Sequence, residues 1–130
     1  MIVVDTSALM AILLGEPDAD SCARSLYAAD RVAISATTLA EALIVASGRT
    51  LAEEMARLVE ELDFEIVSVS PVRARQVAHA YSLWGKGYHP ARLNFADCFA
   101  YQLAQERQCP LLFVGNDFAQ TDVLSALAAL

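Results

Sequence analysis

Short β-branched runs alternate with longer helical stretches from one end of the chain to the other. Turn and cap signals separate these segments, because Gly15 closes the first helix and Pro71 opens a later one. The predicted elements are a strand at 1–4, a helix at 5–14, a helix at 19–29, a strand at 31–35, helices at 36–48 and 50–63, a strand at 64–70, helices at 71–84 and 94–107, a strand at 110–115 and a terminal helix capped by Asp117. Strands separated by helices predict a parallel α/β sheet of four or five strands flanked by helices, in one domain spanning 1–130.

Several carboxylates occupy positions where this fold places ligands. Asp5 ends the first strand and Asp117 follows the last one. Ligands in open parallel sheets bind beyond the carboxyl ends of the strands, so these two acids are expected on one edge. Glu41 lies on the helix after the second strand. The pattern therefore indicates an acidic cleft at the carboxyl edge of the sheet.

Asp97 interrupts the apolar stretch LNFADCFAYQLA at 93–104. A helix from Asn94 would place Asp97 one turn inside it, with Phe95, Phe99 and Leu103 on the far side, in the core. A buried ionised carboxylate is costly without a cation, hydrogen-bond donors or a metal ion. This position is the strongest indication of a charged partner.

Structural roles could explain most of these acids singly. Asp5 could cap the helix that follows it. TLAE at 38–41 matches a capping box that would involve Glu41, and Asp117 with Gln120 could cap a terminal helix in which Asp122 is an exposed first-turn residue. These alternatives remain open beside a common site, where oxygen ligands would suit Mg²⁺ or Mn²⁺. Two such ions would activate a water and stabilise the leaving oxygen of a phosphodiester.

Composition narrows the setting of such a site. The 130 residues are 56% hydrophobic, which suggests surfaces covered by partners, and the net charge of −7 argues against a surface that attracts nucleic acid everywhere. Neither a membrane span nor a leader segment is apparent, so we expect a cytoplasmic protein without membrane association. The three cysteines have neither disulfide-framework nor zinc-type spacing.

Four segments resemble, in order and spacing, the acidic motifs of PIN-domain ribonucleases, and specifically the VapC toxins: MIVVDTSAL, TTLAEAL, LNFADCFAYQLA and PLLFVGNDFAQTDV. The resemblance covers essentially the whole chain. It implies a PIN domain over residues 1–130 and a Mg²⁺- or Mn²⁺-dependent endoribonuclease, the toxin of a toxin–antitoxin pair. It also implies an RNA substrate, inhibition by a VapB-type antitoxin and a homodimer.

Matched residue by residue, the family's catalytic and metal-binding acids fall on Asp5, Glu41, Asp97 and Asp117. The small hydroxyl residue after the first acid falls on Thr6 or Ser7, which we expect to contact substrate together with Asn116. Many relatives carry an acid at the Asn116 position and Lys or another polar residue at the Val114 position. The fourth acidic motif is therefore poorer in charge here.

The loop before Asp97 carries a cluster of cations in a chain with only nine Lys and Arg residues. Lys86, His89 and Arg92, with Trp84 and Tyr88 interleaved, predict a phosphate clamp with a base-stacking surface. A solvated glycine-rich loop is the alternative.

Two other functions fit parts of the pattern. A non-catalytic PIN-like binding module would use its acids only as helix caps and its apolar faces to hold a partner. A receiver or haloacid-dehalogenase-type phosphotransferase would use a strand-end aspartate as phosphoryl acceptor, generally supported by a sheet-end lysine. No strand end here supplies that lysine, and DTS at 5–7 lacks the second acid of the phosphatase motif.

Overall fold

Four strands and six α-helices make up residues 1–127, the part of the chain that this computed structural model describes. The strands are β1 (Ile2–Val4), β2 (Val32–Ser35), β3 (Glu65–Val67) and β4 (Leu111–Leu112). The helices are α1 (Thr6–Leu14), α2 (Ala19–Ala28), α3 (Ala36–Gly48), α4 (Ala52–Glu61), α5 (Pro71–Trp84) and α6 (Asp97–Arg107). The predicted alternation of strands and helices is confirmed.

The strands form one parallel sheet in the order β3-β2-β1-β4. A fifth segment runs beside β4 without forming a full strand. There Leu111 N donates to Leu124 O at 2.8 Å, and Ala126 N donates to Leu111 O at 2.9 Å. The predicted parallel sheet of four or five strands flanked by helices is therefore confirmed.

Helices cover both faces of the sheet, which explains why the strands read as continuous apolar runs. Strand residues alternate between two cores because successive side chains point to opposite faces. Ile34 and Leu112 pack with apolar residues of α1 to α4, whereas Val3 and Leu111 pack with residues of α5 and α6. Within residues 1–127, no helix is long and apolar enough to cross a bilayer.

The strand order creates a crevice between β1 and β4. The chain moves from β1 to β2 in one direction along the sheet, whereas β4 lies on the other side of β1. This reversal is the point where open α/β sheets bind ligands, at the carboxyl ends of the strands. Asp5 follows β1 there, and the turn that leads to Asp117 follows β4.

The predicted terminal helix is wrong over the described residues. Only a short 3-10 helix, Phe118–Gln120, follows β4, and the Asp117 side chain makes no capping hydrogen bond to it. The backbone groups of the next segment are engaged beside Leu111 instead, and Phe118 is buried in the core. Residues 128–130, where the terminal helix was predicted to continue, lie outside the described part.

Candidate active site

Asp5 combines the capping role and the site position that the sequence left as alternatives. Its backbone N–H donates to Leu112 O at 3.0 Å, which fixes it at the edge between β1 and β4. Its Oδ2 accepts from Ser7 N at 3.0 Å and from Ser7 Oγ at 2.7 Å, so Asp5 is the N-cap of α1. The other oxygen, Oδ1, is buried and has no hydrogen-bond partner in residues 1–127.

Burial is the main cause that raises the pKa of Asp5 above 3.8, and the charge of Glu41 raises it further. The two hydrogen bonds from Ser7 act in the opposite direction. A buried carboxylate oxygen without a partner is costly, and the nearby negative charge increases the cost. Asp5 therefore has one oxygen held by α1 and one available to a cation.

Glu41 is positioned by a threonine of α1 and not by a capping box. Helix α3 begins at Ala36, so Thr38 already lies inside the helix, and the capping-box interpretation of TLAE is wrong. Thr6 Oγ1 donates to Glu41 Oε1 at 2.7 Å and also lies 3.3 Å from Thr38 O. Thr6 is buried, so this bond sets the orientation of Glu41 toward the end of β1.

Asp97 lies at the start of its helix, which corrects the prediction that it sits one turn inside. Helix α6 begins at Asp97, with Ala96 as its N-cap residue. A reciprocal pair of hydrogen bonds links Asp97 to Asn94 in the turn before the helix. Asp97 N donates to Asn94 Oδ1 at 2.8 Å, and Asn94 N donates to Asp97 Oδ2 at 3.0 Å. Because both donors are satisfied by side chains, the turn from Asn94 to Asp97 replaces the predicted helical turn.

The prediction that Phe95 packs in the core is wrong for the same reason. Phe95 precedes the helix and is 69% exposed, with its ring against Phe99 at a centroid distance of 5.0 Å. Phe99 and Leu103 are buried as predicted. The helical wheel holds only where the backbone is helical, and here it fails before Asp97.

The pKa of Asp97 is raised by burial and by three other carboxylates. Burial is the largest cause that raises it from 3.8 to about 7, and the charges of Asp5, Glu41 and Asp117 raise it further, against the hydrogen bond from Asn94. Like charges have this effect on a carboxyl group only at short range, so these three acids all act on Asp97.

Asp117 and Asn116 are both exposed. They follow Gly115, whose φ of 106° turns the chain sharply after β4. Within residues 1–127 no side-chain hydrogen bond is formed by either of them. The charge of Asp117 reaches Asp97, whereas nothing in the structure ties Asn116 to the acids.

The acids fit a hydrated hard cation better than a dry ligand cage. Within residues 1–127, no three His, Cys, Asp or Glu side chains are grouped closely enough to ligate one ion by themselves. Mg²⁺ usually keeps several waters and uses only one or two carboxylates. The unpartnered Asp5 Oδ1 and the facing charges therefore suit such an ion, with water completing its coordination.

The loop at 85–92, called the basic loop here, is closed by backbone hydrogen bonds. Lys86 N donates to Leu93 O at 2.9 Å and Leu93 N donates to Trp84 O at 3.0 Å, so the loop is closed at its base. A Cβ atom at position 85 would overlap the Tyr81 carbonyl oxygen, so the backbone here leaves room only for glycine. Residues 86–90 and Arg92 line a hollow of ≈ 550 Å³.

The cationic side chains of this loop are available to a ligand. Lys86 and Arg92 are exposed, and among the described residues their side chains form no hydrogen bond or ion pair. His89 Nδ1 accepts from Ala91 N at 2.9 Å, which leaves Nε2 as the protonated nitrogen of the neutral ring. Tyr88 is 67% exposed, as a stacking surface requires.

A hydrogen-bond chain behind the loop was not predicted. Trp84 Nε1 donates to Tyr101 Oη at 2.9 Å, and Tyr101 Oη donates to Asp122 Oδ1 at 2.6 Å. The Trp84 ring also meets His89 edge-on, with centroids 4.7 Å apart. Asp122 is thus an acceptor for Tyr101, not a helix residue. The signal in the sequence was the pair of amphipathic aromatics, which need polar partners when buried.

Two further hollows lie between α5 and α6. One, of ≈ 600 Å³, is lined by polar residues such as Gln76, His79 and Gln102, and the other, of ≈ 560 Å³, by apolar residues such as Val77 and Phe99. None of the four acids lines either hollow. Cavity volume alone therefore does not identify the active site.

Known proteins are similar to this chain in sequence, and others are similar in fold. The profile of the PIN domain matches residues 2–124. The chain is 42% identical over 129 residues to the ribonuclease VapC28 of Mycobacterium tuberculosis, covering 96% of this chain and 97% of that relative. Sequence similarity therefore extends over nearly the whole molecule.

Two solved structures share the fold at low identity. VapC20 of Mycobacterium tuberculosis, described as a toxin that cleaves the sarcin-ricin loop, is similar with a TM-score of 0.76, 18% identity and coverage of 95% of this chain and 97% of that chain. A toxin–antitoxin complex from Klebsiella pneumoniae contains a chain with a TM-score of 0.70, 20% identity and coverage of 94% and 93%. At these identities the likeness concerns the fold alone.

Proposed function

Because this chain belongs to the PIN domain family and, within it, to the VapC ribonucleases, we propose that it is an endoribonuclease toxin that depends on Mg²⁺ or Mn²⁺. It would hydrolyse RNA phosphodiester bonds at the site formed by Asp5, Glu41, Asp97 and Asp117. The observation that carries this proposal is the buried, unpartnered Oδ1 of Asp5 beside acids whose charges raise the pKa of Asp97.

Three of these acids would have separate roles in holding a cation. Asp5 would offer Oδ1, since Ser7 already occupies Oδ2. Asp97 would offer the oxygen that Asn94 leaves free, and Thr6 would hold Glu41 in place. When bound, a divalent cation supplies an ionised water at neutral pH and neutralises charge that develops on the phosphate.

The basic loop would hold the RNA. Lys86 and Arg92 would contact phosphates, and Tyr88 would provide a ring on which a base stacks. Its exposed cations and closed base support this role. A protein with a net charge of −7 needs such a local concentration of cations to attract a polyanion.

Exposed apolar residues support the proposed protein partners, a VapB-type antitoxin and a second copy of the chain. Leu43, Ile44 and Val45, which are consecutive on α3, are 36%, 70% and 41% exposed. A solved neighbour is itself part of a toxin–antitoxin complex. Contiguous exposed apolar side chains are typical of surfaces that partners cover.

The decisive test is cleavage of total RNA by the purified protein with Mn²⁺ and with excess chelator. We expect cleavage only with the metal ion and its loss in Asp5→Asn. Asp20→Asn is the matched control, because it removes one exposed carboxylate from α2 and should cleave like the parent. Metal-independent cleavage, or none by the parent, would contradict the proposal and favour a binding module.

A further inference from the structure

Ser7 joins the two sides of the crevice between β1 and β4. Its Oγ donates to Asp5 Oδ2 at 2.7 Å and accepts from Val114 N at 3.0 Å. Asp5 ends β1, and Val114 begins the turn that carries Asp117. One hydroxyl group therefore connects the carboxylate at one strand end to the backbone three residues before the other acid.

The sequence predicted that Thr6 or Ser7 contacts substrate, and in the structure both hydroxyls form hydrogen bonds within the protein. The single proton of Ser7 Oγ points to Asp5, and one of its lone pairs accepts from Val114. The Thr6 proton is directed at Glu41. The Thr6 hydroxyl thus binds Glu41, and the Ser7 hydroxyl binds Asp5 and the Val114 amide.

We propose that Ser7 is a positioning residue for the metal-binding acids, a role that rests on the function proposed above. By holding Asp5 Oδ2, its hydroxyl leaves Oδ1 as the oxygen that faces the crevice. By holding Val114 N, it sets the distance between Asp5 and the turn that bears Asp117. Its loss would let the two acids separate without removing either.

Ser7→Ala isolates this role because the helix cap survives it. The backbone N–H of Ser7 also donates to Asp5 Oδ2, at 3.0 Å, and an alanine keeps that donor. Only the two bonds of the hydroxyl are lost. Ser7→Thr retains a hydroxyl and should restore function, and Ser82→Ala is the matched control, since Ser82 Oγ donates only to His79 O on exposed α5.

The first measurement needs no metal and no RNA. Hydrogen exchange at the Val114 amide should be about tenfold faster in metal-free Ser7→Ala than in the parent, because the amide loses its acceptor. Ser7→Thr and Ser82→Ala should exchange at the parental rate. Equal exchange in Ser7→Ala and the parent would overturn the proposed connection.

The second measurement follows metal affinity and catalysis. Residues that orient metal ligands typically contribute 10–100-fold to affinity or activity, so Ser7→Ala should bind Mn²⁺ at least about tenfold more weakly. kcat on RNA should fall by a similar factor at saturating Mn²⁺, while KM changes less than about twofold. In the Asp117→Ala background the effect of Ser7→Ala should shrink, because one of the two acids that it aligns is gone.

Two results would overturn the proposal. Parental Mn²⁺ affinity with a raised KM would make Ser7 a substrate contact. An effect of Ser7→Ala as large in the Asp117→Ala background as in the parent would show that Ser7 does not act on the spacing of these acids. If the parent cleaves no RNA, the proposed nuclease fails, whereas Val114 exchange and Mn²⁺ affinity still decide the role of Ser7.

Discussion

Replacing Asp97 by Asn should stabilise the metal-free protein while abolishing its activity. Burial and the charges of Asp5, Glu41 and Asp117 raise the pKa of Asp97 from 3.8 to about 7. This difference corresponds to roughly 4 kcal/mol of penalty on the ionised form. Since the carboxylate is partly accessible to solvent, we reduce the penalty to about 2 kcal/mol.

One favourable interaction of Asp97 is lost and offsets part of this gain. A negative charge in the first turn of α6 contributes about 0.3–1 kcal/mol, and Asn loses it. The amide oxygen of Asn can still accept from Asn94 N, so this hydrogen bond survives. The net expectation is a variant more stable than the parent by about 1–1.5 kcal/mol at pH 8 in chelator.

The sign of the pH dependence follows from the raised pKa. Between pH 3.8 and about 7 the folded protein binds more protons at Asp97 than the unfolded chain does, so parental stability falls as the pH rises through this window. Asp97→Asn has no titrating group at this position, so its stability does not fall for this reason between pH 3.8 and about 7. Its advantage should therefore be roughly half as large at pH 5.5 as at pH 8.

Urea unfolding in chelator and RNA cleavage in Mn²⁺, on one preparation, test this prediction. Cleavage should fall by two or more orders of magnitude, roughly 3 kcal/mol in the barrier. Asp20→Asn removes an exposed first-turn carboxylate from α2 and controls for the loss of such a charge. It should cleave RNA like the parent and lose about 0.3–1 kcal/mol of stability. A variant destabilised by about 1–3 kcal/mol that remains fully active would refute the reasoning, since Asp97 would then be a structural residue.

Further changes test separate parts of the site. Millimolar Mn²⁺ should raise the melting temperature of the parent, because the ion binds only the folded state, and an unchanged melting curve would contradict the metal site. Replacing Lys86, His89 and Arg92 together by Ala should weaken RNA binding and flatten its salt dependence while Mn²⁺ affinity stays parental. Parental RNA affinity and salt slope would make the loop a solvated connection. Tyr101→Phe removes a buried hydroxyl between two partners and should cost about 1–2 kcal/mol in urea unfolding, whereas unchanged stability would show that the chain behind the loop contributes nothing.

Features set by local sequence were predictable. The strand that ends just before Asp5, the capping of α1 by Asp5 and the end of α1 at Gly15 all depend on neighbouring residues, and each is observed. The acids at the strand ends were predictable as well, because parallel topology brings carboxyl ends to one edge.

Features that depend on tertiary neighbours were not predictable. The hydrogen bond from Val114 N to Ser7 Oγ joins residues 107 positions apart, so no local sequence pattern predicts it. The start of α6 was misplaced because Asn94 and Asp97 cap each other, which a helical wheel does not represent. The terminal helix failed because the chain beside β4 pairs with Leu111 instead.

The most direct test of the metal-bound acid cluster is an anomalous difference map from crystals of the protein soaked in Mn²⁺. The map should show a peak in the crevice between β1 and β4, coordinated by Asp5 Oδ1 and reaching Asp97 directly or through one water. The peak should be absent from crystals of Asp5→Asn treated in the same way. A map without a peak at Asp5, or with Mn²⁺ bound only elsewhere on the surface, would contradict the claim that these acids hold the catalytic ion.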